Sequence, residues 1–198
     1  MGHDFLDSIA DKPFYRLIQQ KYKGKVAQRS GVSYMNHIQE GAYILQLIYG
    51  NNEDLIEAFC LHPIFQSDKL LSQLFSDSSS ELSLISPHAI ILGMEYRRVA
   101  GNYTIKNKIK SFNSIEIGPL DKVHKMLVAD KIQNKKDFMK YLYLKHDRPS
   151  YHKVSEHVIQ YFDSWLNCLS VSQEMYKEIV EQVEQNLKLI VLDDINNC

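Results

Sequence analysis

The stretch NNEDLIEAFCLHPIFQSD, residues 51–68, carries the features on which the fold of this chain depends. It opens with an asparagine cap and first-turn acids, both of which stabilise the start of a helix. An apolar run follows. It ends at His62, which is a polar residue on an otherwise apolar helix, and Pro63 comes next. Because proline disfavours the α region for the residue before it, we expect this helix to end near His62.

Helical periodicity continues on both sides of this stretch, and no segment shows a sustained two-residue alternation. Ser86 followed by Pro87 is a strong start signal, and Ser170 and Gln173 are spaced as a capping box. The segment FNSIEIGPL predicts at most one short extended piece, and SDSSSELSLIS predicts an exposed loop. The predicted helices span residues 13–24, 35–50, 51–62, 86–108, 118–146, 150–169 and 172–195.

These patterns predict an all-α protein, a helical bundle of about seven or eight helices. The length of 198 residues suits a single domain over residues 1–198. We expect its core to span about 13–146, followed by a C-terminal helical pair over about 150–195.

The composition excludes several classes of protein. Hydrophobic content of 44%, charged content of 24% and a net charge of −1 are ordinary for a globular chain. Nothing indicates a DNA or RNA partner, and no apolar run is long enough to cross a membrane. Three cysteines without a CxxC pair, together with an N-terminus unlike a signal peptide, predict a cytoplasmic, intracellular location.

Four polar residues lie on otherwise apolar helices: His37, His62, Asp130 and Asn134. Asp130 and Asn134 are four residues apart, so they share a helix face. A carboxylate among apolar neighbours needs a partner, and two histidines with one carboxylate can meet at one cation. The alternative is that these histidines are simply hydrogen-bonded core residues, since the chain has eight.

The segments QRSGVSYMNH, AFCLHPIFQSD and MLVADKIQNKKDF resemble, in order, three motifs of the HD-domain (p)ppGpp hydrolases of the RelA/SpoT type, including the small metazoan SpoT homologues. The resemblance spans roughly residues 28–138, and the whole chain also resembles a group of phage-encoded proteins of this type. It implies an HD-domain-like fold, in which His37, His62 and Asp130 bind a divalent, manganese-type metal ion and Asn134 is catalytic.

Two positions depart from the family pattern. Pro63 stands where the resemblance implies a metal-binding aspartate, and Gln66 stands where it implies a catalytic glutamate. Glutamine cannot act as a general base at neutral pH, and Asp68 is a poor replacement because two residues along a helix lie on different sides. We therefore expect a retained pocket with impaired hydrolysis and no required cofactor, although a divalent metal can still be held by the remaining three ligands.

Further residues are candidates for binding an anionic nucleotide. Arginines and lysines would contact phosphate, and tyrosines would stack on a base. Each has a structural alternative: Lys135, Lys136 and Lys140 would line a solvated helix face, Tyr34 would pack beside the helix of His37, and Glu95 would pair with Arg98. The candidate ligand-binding residues are Arg29, Tyr34, His37, His62, Gln66, Tyr96, Arg97, Arg98, Asp130, Lys131, Asn134, Lys145, Arg148 and Tyr151.

Three functions are compatible with this sequence. The first is a nucleotide-binding protein that sequesters a signalling nucleotide, (p)ppGpp-like or a cyclic oligonucleotide, with little or no turnover; in a phage it would act in counter-defence. The second is a metal-dependent nucleotide phosphohydrolase of the HD superfamily. The third is a helical protein–protein interaction module. Whether the chain forms a homo-oligomer is left open.

Overall fold

The structure, a computed structural model, describes residues 2–27, 32–76, 80–103, 115–142 and 149–187, and of residues 142 and 149–155 it describes the backbone alone. Nine α-helices and no strand occur within these ranges, which confirms the all-α prediction. The helices at 2–10 and 68–74 were not predicted. The nine are α1 (Gly2–Ala10), α2 (Pro13–Tyr22), α3 (Tyr34–Tyr49), α4 (Glu53–Gln66), α5 (Asp68–Leu74), α6 (Pro87–Asn102), α7 (Asp121–Asp137), α8 (Pro149–Cys168) and α9 (Gln173–Asn186).

Short polar residues cap most helix starts. The Asn52 side chain accepts from the backbone N–H of Leu55, and Ser86 caps α6 in the same way ahead of Pro87. The predicted capping box at Ser170 is wrong, because Ser172 is the cap of α9 and Ser170 instead adopts a positive φ of 58°. Because Ser172 is the N-cap, Gln173 is the first residue of α9. A capping box requires its glutamine at the third helical position, so Gln173 cannot take part in one.

Helix α4 does not end at His62, contrary to the prediction. It continues through Pro63 to Gln66. Donors from other helices satisfy the carbonyls of its last turn, since the Tyr22 hydroxyl donates to the carbonyl of Pro63 at 3.2 Å and Arg97 donates to the carbonyl of Phe65 at 2.7 Å. These contacts satisfy carbonyls at the end of α4, which a helix leaves without donors of its own.

Helix α4 is the central helix of the described bundle, with ten of its fourteen residues buried. It packs on α2, α3, α6 and α7. Two of these contacts depend on glycine: the ring of Phe59 lies over Gly41 on α3, and the ring of Phe65 lies over Gly93 on α6. The close packing places His62, one turn before the end of α4, beside His37 of α3 and Asp130 of α7.

The C-terminal helices cover α7. Helices α8 and α9 both pack on α7, and α9 also contacts α3. As a result Lys135 and Lys136 are buried, paired with Asp163 of α8 and Glu40 of α3 respectively. The prediction that they line a solvated helix face is therefore wrong, whereas Lys140 on the turn that follows is exposed.

Candidate metal centre

Three side chains from three helices converge in the middle of the bundle: His37 of α3, His62 of α4 and Asp130 of α7. The Nε2 atoms of the two histidines are 3.2 Å apart. Oδ1 of Asp130 lies 3.5 Å from Nε2 of His37 and 3.9 Å from Nε2 of His62. The structure thus brings together the three residues that the sequence indicated as a shared cation site.

The outer nitrogen of each ring faces a hydrogen-bond acceptor. Nδ1 of His37 is 2.5 Å from Oε1 of Gln133, and Nδ1 of His62 is 2.5 Å from the backbone carbonyl of Phe59. A carbonyl can only accept, so each neutral ring carries its hydrogen on Nδ1. Both Nε2 lone pairs therefore point into the cluster, which is the arrangement that a metal ion requires of histidine.

Gln133 has its amide orientation fixed by two carboxylates. Its Nε2 donates to Glu40 at 2.9 Å and to Asp137 at 2.8 Å, so its oxygen must face His37. Lys136 in turn lies 2.8 Å from both of these carboxylates and offsets their charge. The sequence analysis missed this network. One residue in the sequence indicated this network. Glu40 lies three residues after His37 and therefore on the same face of an apolar helix.

Asp130 is a buried carboxylate with three donors. Lys131 donates to its Oδ2 and Asn134 to its Oδ1, each at 2.8 Å, and the Tyr96 hydroxyl is also bonded to it. Burial acts to raise the pKa of this carboxyl, but the charge and hydrogen bond of Lys131, with further contributions from His37 and His62, outweigh burial and bring the pKa down to about 2. Asp130 is therefore an anion at neutral pH, as a metal ligand must be.

His62 is neutral at physiological pH. Burial, followed by the proximity of His37, lowers its pKa to about 3. The ring is enclosed by those of Phe59 and Tyr96, whose centroids are 4.8 and 4.9 Å away. His37 is the most open of the three ligands, with 19% of its side chain exposed, so solvent reaches the cluster beside it.

This donor set fits a divalent ion. A metal about 2.1 Å from each ligand atom places neighbouring ligands about 3.0–3.4 Å apart. Two of the three separations in the cluster, 3.2 and 3.5 Å, are close to this range, and the third, between His62 and Asp130, is longer at 3.9 Å. Two neutral imidazoles and one carboxylate are the ligands of the facial sites that bind transition metals and leave coordination positions open. His37, His62 and Asp130 are also the one such group of possible ligands among the described residues.

The other candidate residues have different surroundings. Tyr96 and Lys131 are buried against Asp130, so the ammonium of Lys131 is engaged by a carboxylate rather than open to phosphate. Lys131 also lies over the ring of Trp165, 4.9 Å from its centroid. Gln66 lies one helical turn after His62 and so on the same face of α4, but its side chain is exposed.

The described arginines are held by carboxylates. Arg97 donates to Asp68, and Arg98 pairs with Glu95 at 2.7 Å, as expected for residues three apart on a helix. Tyr34 is 40% exposed and meets the edge of Tyr22. The remaining candidates, Arg29, Lys145, Arg148 and the side chain of Tyr151, lie outside the part of the chain that the structure describes.

No family model, curated protein or solved structure matches the chain. In the part of the chain described here, no helix combines the length and apolarity needed to cross a membrane. The function must therefore be argued from the geometry of the cluster and from the motifs around it.

Proposed function

We propose that the protein is a metal-dependent nucleotide-binding protein that holds the phosphate groups of a signalling nucleotide and turns it over slowly or not at all. The observation that carries this proposal is the convergence of two Nε2 lone pairs and one anionic carboxylate on a single point. Such a centre, buried on two sides and reached beside His37, supports one ion with open positions for a ligand.

The charges of the cluster favour an anionic ligand. Lys131 neutralises Asp130, and His62 is uncharged, so the protein groups around the site cancel one another. A divalent ion would then leave the centre positively charged, and as a Lewis acid it would coordinate phosphate oxygens. An aspartate at position 63, which the resemblance implies as a metal ligand, would offset part of this positive charge, and Pro63 leaves it available.

Among the described residues, no carboxylate beside the cluster is left without a donor that engages it, so none is a suitable base for rapid hydrolysis. Gln66, at the position where the resemblance implies a catalytic glutamate, cannot remove a proton from water at neutral pH. Behind His37, the carboxylates of Glu40 and Asp137 accept hydrogen bonds from Gln133, and Glu40 also accepts one from Lys136. Binding without efficient turnover suits sequestration, which in a phage would remove a host alarm or defence nucleotide.

The test uses the full chain, stripped with a chelator and reloaded with Mn²⁺. Calorimetry against (p)ppGpp, cyclic dinucleotides and ATP is expected to show nucleotide binding only with Mn²⁺, and heat denaturation is expected to release the nucleotide intact. Asp130→Asn should abolish the binding of both metal and nucleotide. Asp68→Asn, which alters an exposed carboxylate elsewhere, should change neither. Nucleotide binding that is indifferent to the chelator, or absent from the whole panel, would contradict the proposal.

A metal-dependent phosphohydrolase of the HD type is the second candidate. It is favoured by the hydrogen bond from Asn134 to Asp130, the two residues to which the resemblance gives catalytic and metal-binding roles. Multiple turnovers that require Mn²⁺ and disappear in Asp130→Ala would replace sequestration by this function.

A further inference from the structure

Pro63 changes the hydrogen bonding of the helix that carries His62. In an α-helix the N–H of residue 63 would donate to the carbonyl of residue 59. Proline has no N–H, so the helix continues past Pro63 while the carbonyl of Phe59 is deprived of its helical donor. A buried carbonyl without a donor is costly, and another group is needed to satisfy it.

His62 supplies that donor. Its Nδ1 lies 2.5 Å from the carbonyl oxygen of Phe59, one turn back on the same helix, and the side chain is buried. The opposite tautomer would leave this carbonyl without a hydrogen bond. It would instead donate from Nε2 of His62 to Nε2 of His37, 3.2 Å away, and this bond would occupy the lone pairs that a metal ion needs.

We propose that Pro63 is a positioning residue, which fixes His62 as the Nδ1–H tautomer by removing the competing backbone donor to Phe59. Gln133 performs the corresponding task for His37 through a side chain. Pro63 thus does more than delete a ligand: it directs the ring of the neighbouring ligand. The relevance to metal binding rests on the proposed function, whereas the tautomer is a property of the metal-free chain.

The experiment compares wild type with Pro63→Ala and Pro63→Val, which both restore the N–H at residue 63 but differ in side-chain volume. Pro13→Ala is the matched control, because Pro13 is at the first position of α2, where a helix needs no N–H. The tautomer of His62 is measured by nitrogen-15 NMR of the metal-free protein near neutral pH, and Mn²⁺ affinity is measured separately by calorimetry.

We expect wild type and Pro13→Ala to hold His62 in the Nδ1–H form. Both Pro63 variants should fold, with equal or higher melting temperatures, since alanine and valine are each better tolerated inside a helix than proline. They should show a mixture of His62 tautomers and bind Mn²⁺ about tenfold more weakly, the loss typical of removing a group that orients a metal ligand.

Two outcomes separate this inference from the proposed function. If His62 stays entirely in the Nδ1–H form in both Pro63 variants, the role assigned to Pro63 is overturned, whatever the metal affinity. If the tautomer shifts as expected but neither wild type nor variants bind Mn²⁺, the role of Pro63 is supported and the proposed metal site is contradicted.

Discussion

At the scale of single residues, the candidate site depends on hydrogen-bond acceptors behind the ligands as much as on the ligands. Gln133 is the clearest case. Its oxygen accepts from His37, and its nitrogen is held by Glu40 and Asp137, so it cannot flip without facing two carboxylates with its own oxygen. A metal ligand whose orientation is set in this way loses little entropy when an ion binds.

We expect Gln133→Leu to weaken Mn²⁺ binding by about tenfold, because His37 loses the acceptor that holds its Nε2 toward the site. The free energy of unfolding should also fall by about 1–3 kcal/mol, since the buried carboxylate of Glu40 and the half-buried carboxylate of Asp137 each lose a donor. Calorimetry and urea unfolding measure the two effects.

Gln39→Leu is the matched control for this change. Gln39 is a half-buried glutamine of α3 that bonds the hydroxyl of Tyr15, away from the cluster. This variant should lose stability while keeping its metal affinity. An equal loss of Mn²⁺ binding in both variants would show that general destabilisation, and not the orientation of His37, is responsible.

At the scale of helices, the position of the cluster depends on how closely α4 approaches its neighbours. Gly93 of α6 is covered by the ring of Phe65, and a Cβ added there would lie 2.4 Å from that ring. Such a separation is far below van der Waals contact, so the two helices would have to move apart or the ring would have to leave its position.

Gly93→Ala should therefore destabilise the protein by about 1–3 kcal/mol, although alanine is the better helix former. Gly101→Ala, near the end of the same helix with open space at its Cβ, should stabilise it by up to about 1 kcal/mol. Urea unfolding of the two variants tests this. A gain of stability in Gly93→Ala would mean that α4 and α6 do not pack as closely as described.

At the scale of the whole molecule, the site is a product of the tertiary fold. His37, His62 and Asp130 belong to helices α3, α4 and α7 and are distant in sequence, so an unfolded chain does not hold them together. An ion that binds only the folded state stabilises it in proportion to the logarithm of its concentration.

Addition of Mn²⁺ at about 100 times its dissociation constant should raise the free energy of unfolding by about 2.7 kcal/mol. Thermal unfolding with Mn²⁺ and with a chelator measures the shift, which should vanish in Asp130→Asn. A metal-dependent shift of the same size in that variant would place the bound ion elsewhere in the protein.

Local signals predicted a large part of this structure, and they did so without knowledge of the fold. Asn52 and Ser86 were recognisable as caps because they bond backbone groups within the next turn, and apolar periodicity gave the helical class. His37, His62 and Asp130 stood out because each is polar on an apolar helix. The hydrogen bond between His62 and the carbonyl of Phe59 is also local, since it joins residues three apart on one helix, but it was not predicted.

Contacts between helices were beyond the sequence. Lys135 and Lys136 looked like a solvated face until Asp163 and Glu40, on other helices, made their burial possible. The last carbonyls of α4 accept hydrogen bonds from donors on α2 and α6. The sequence by itself therefore determined the all-α class, most of the helical segments and which side chains could serve as ligands. The tertiary structure alone decided which of them meet, because a buried charge is stabilised by the particular partner that packing brings to it.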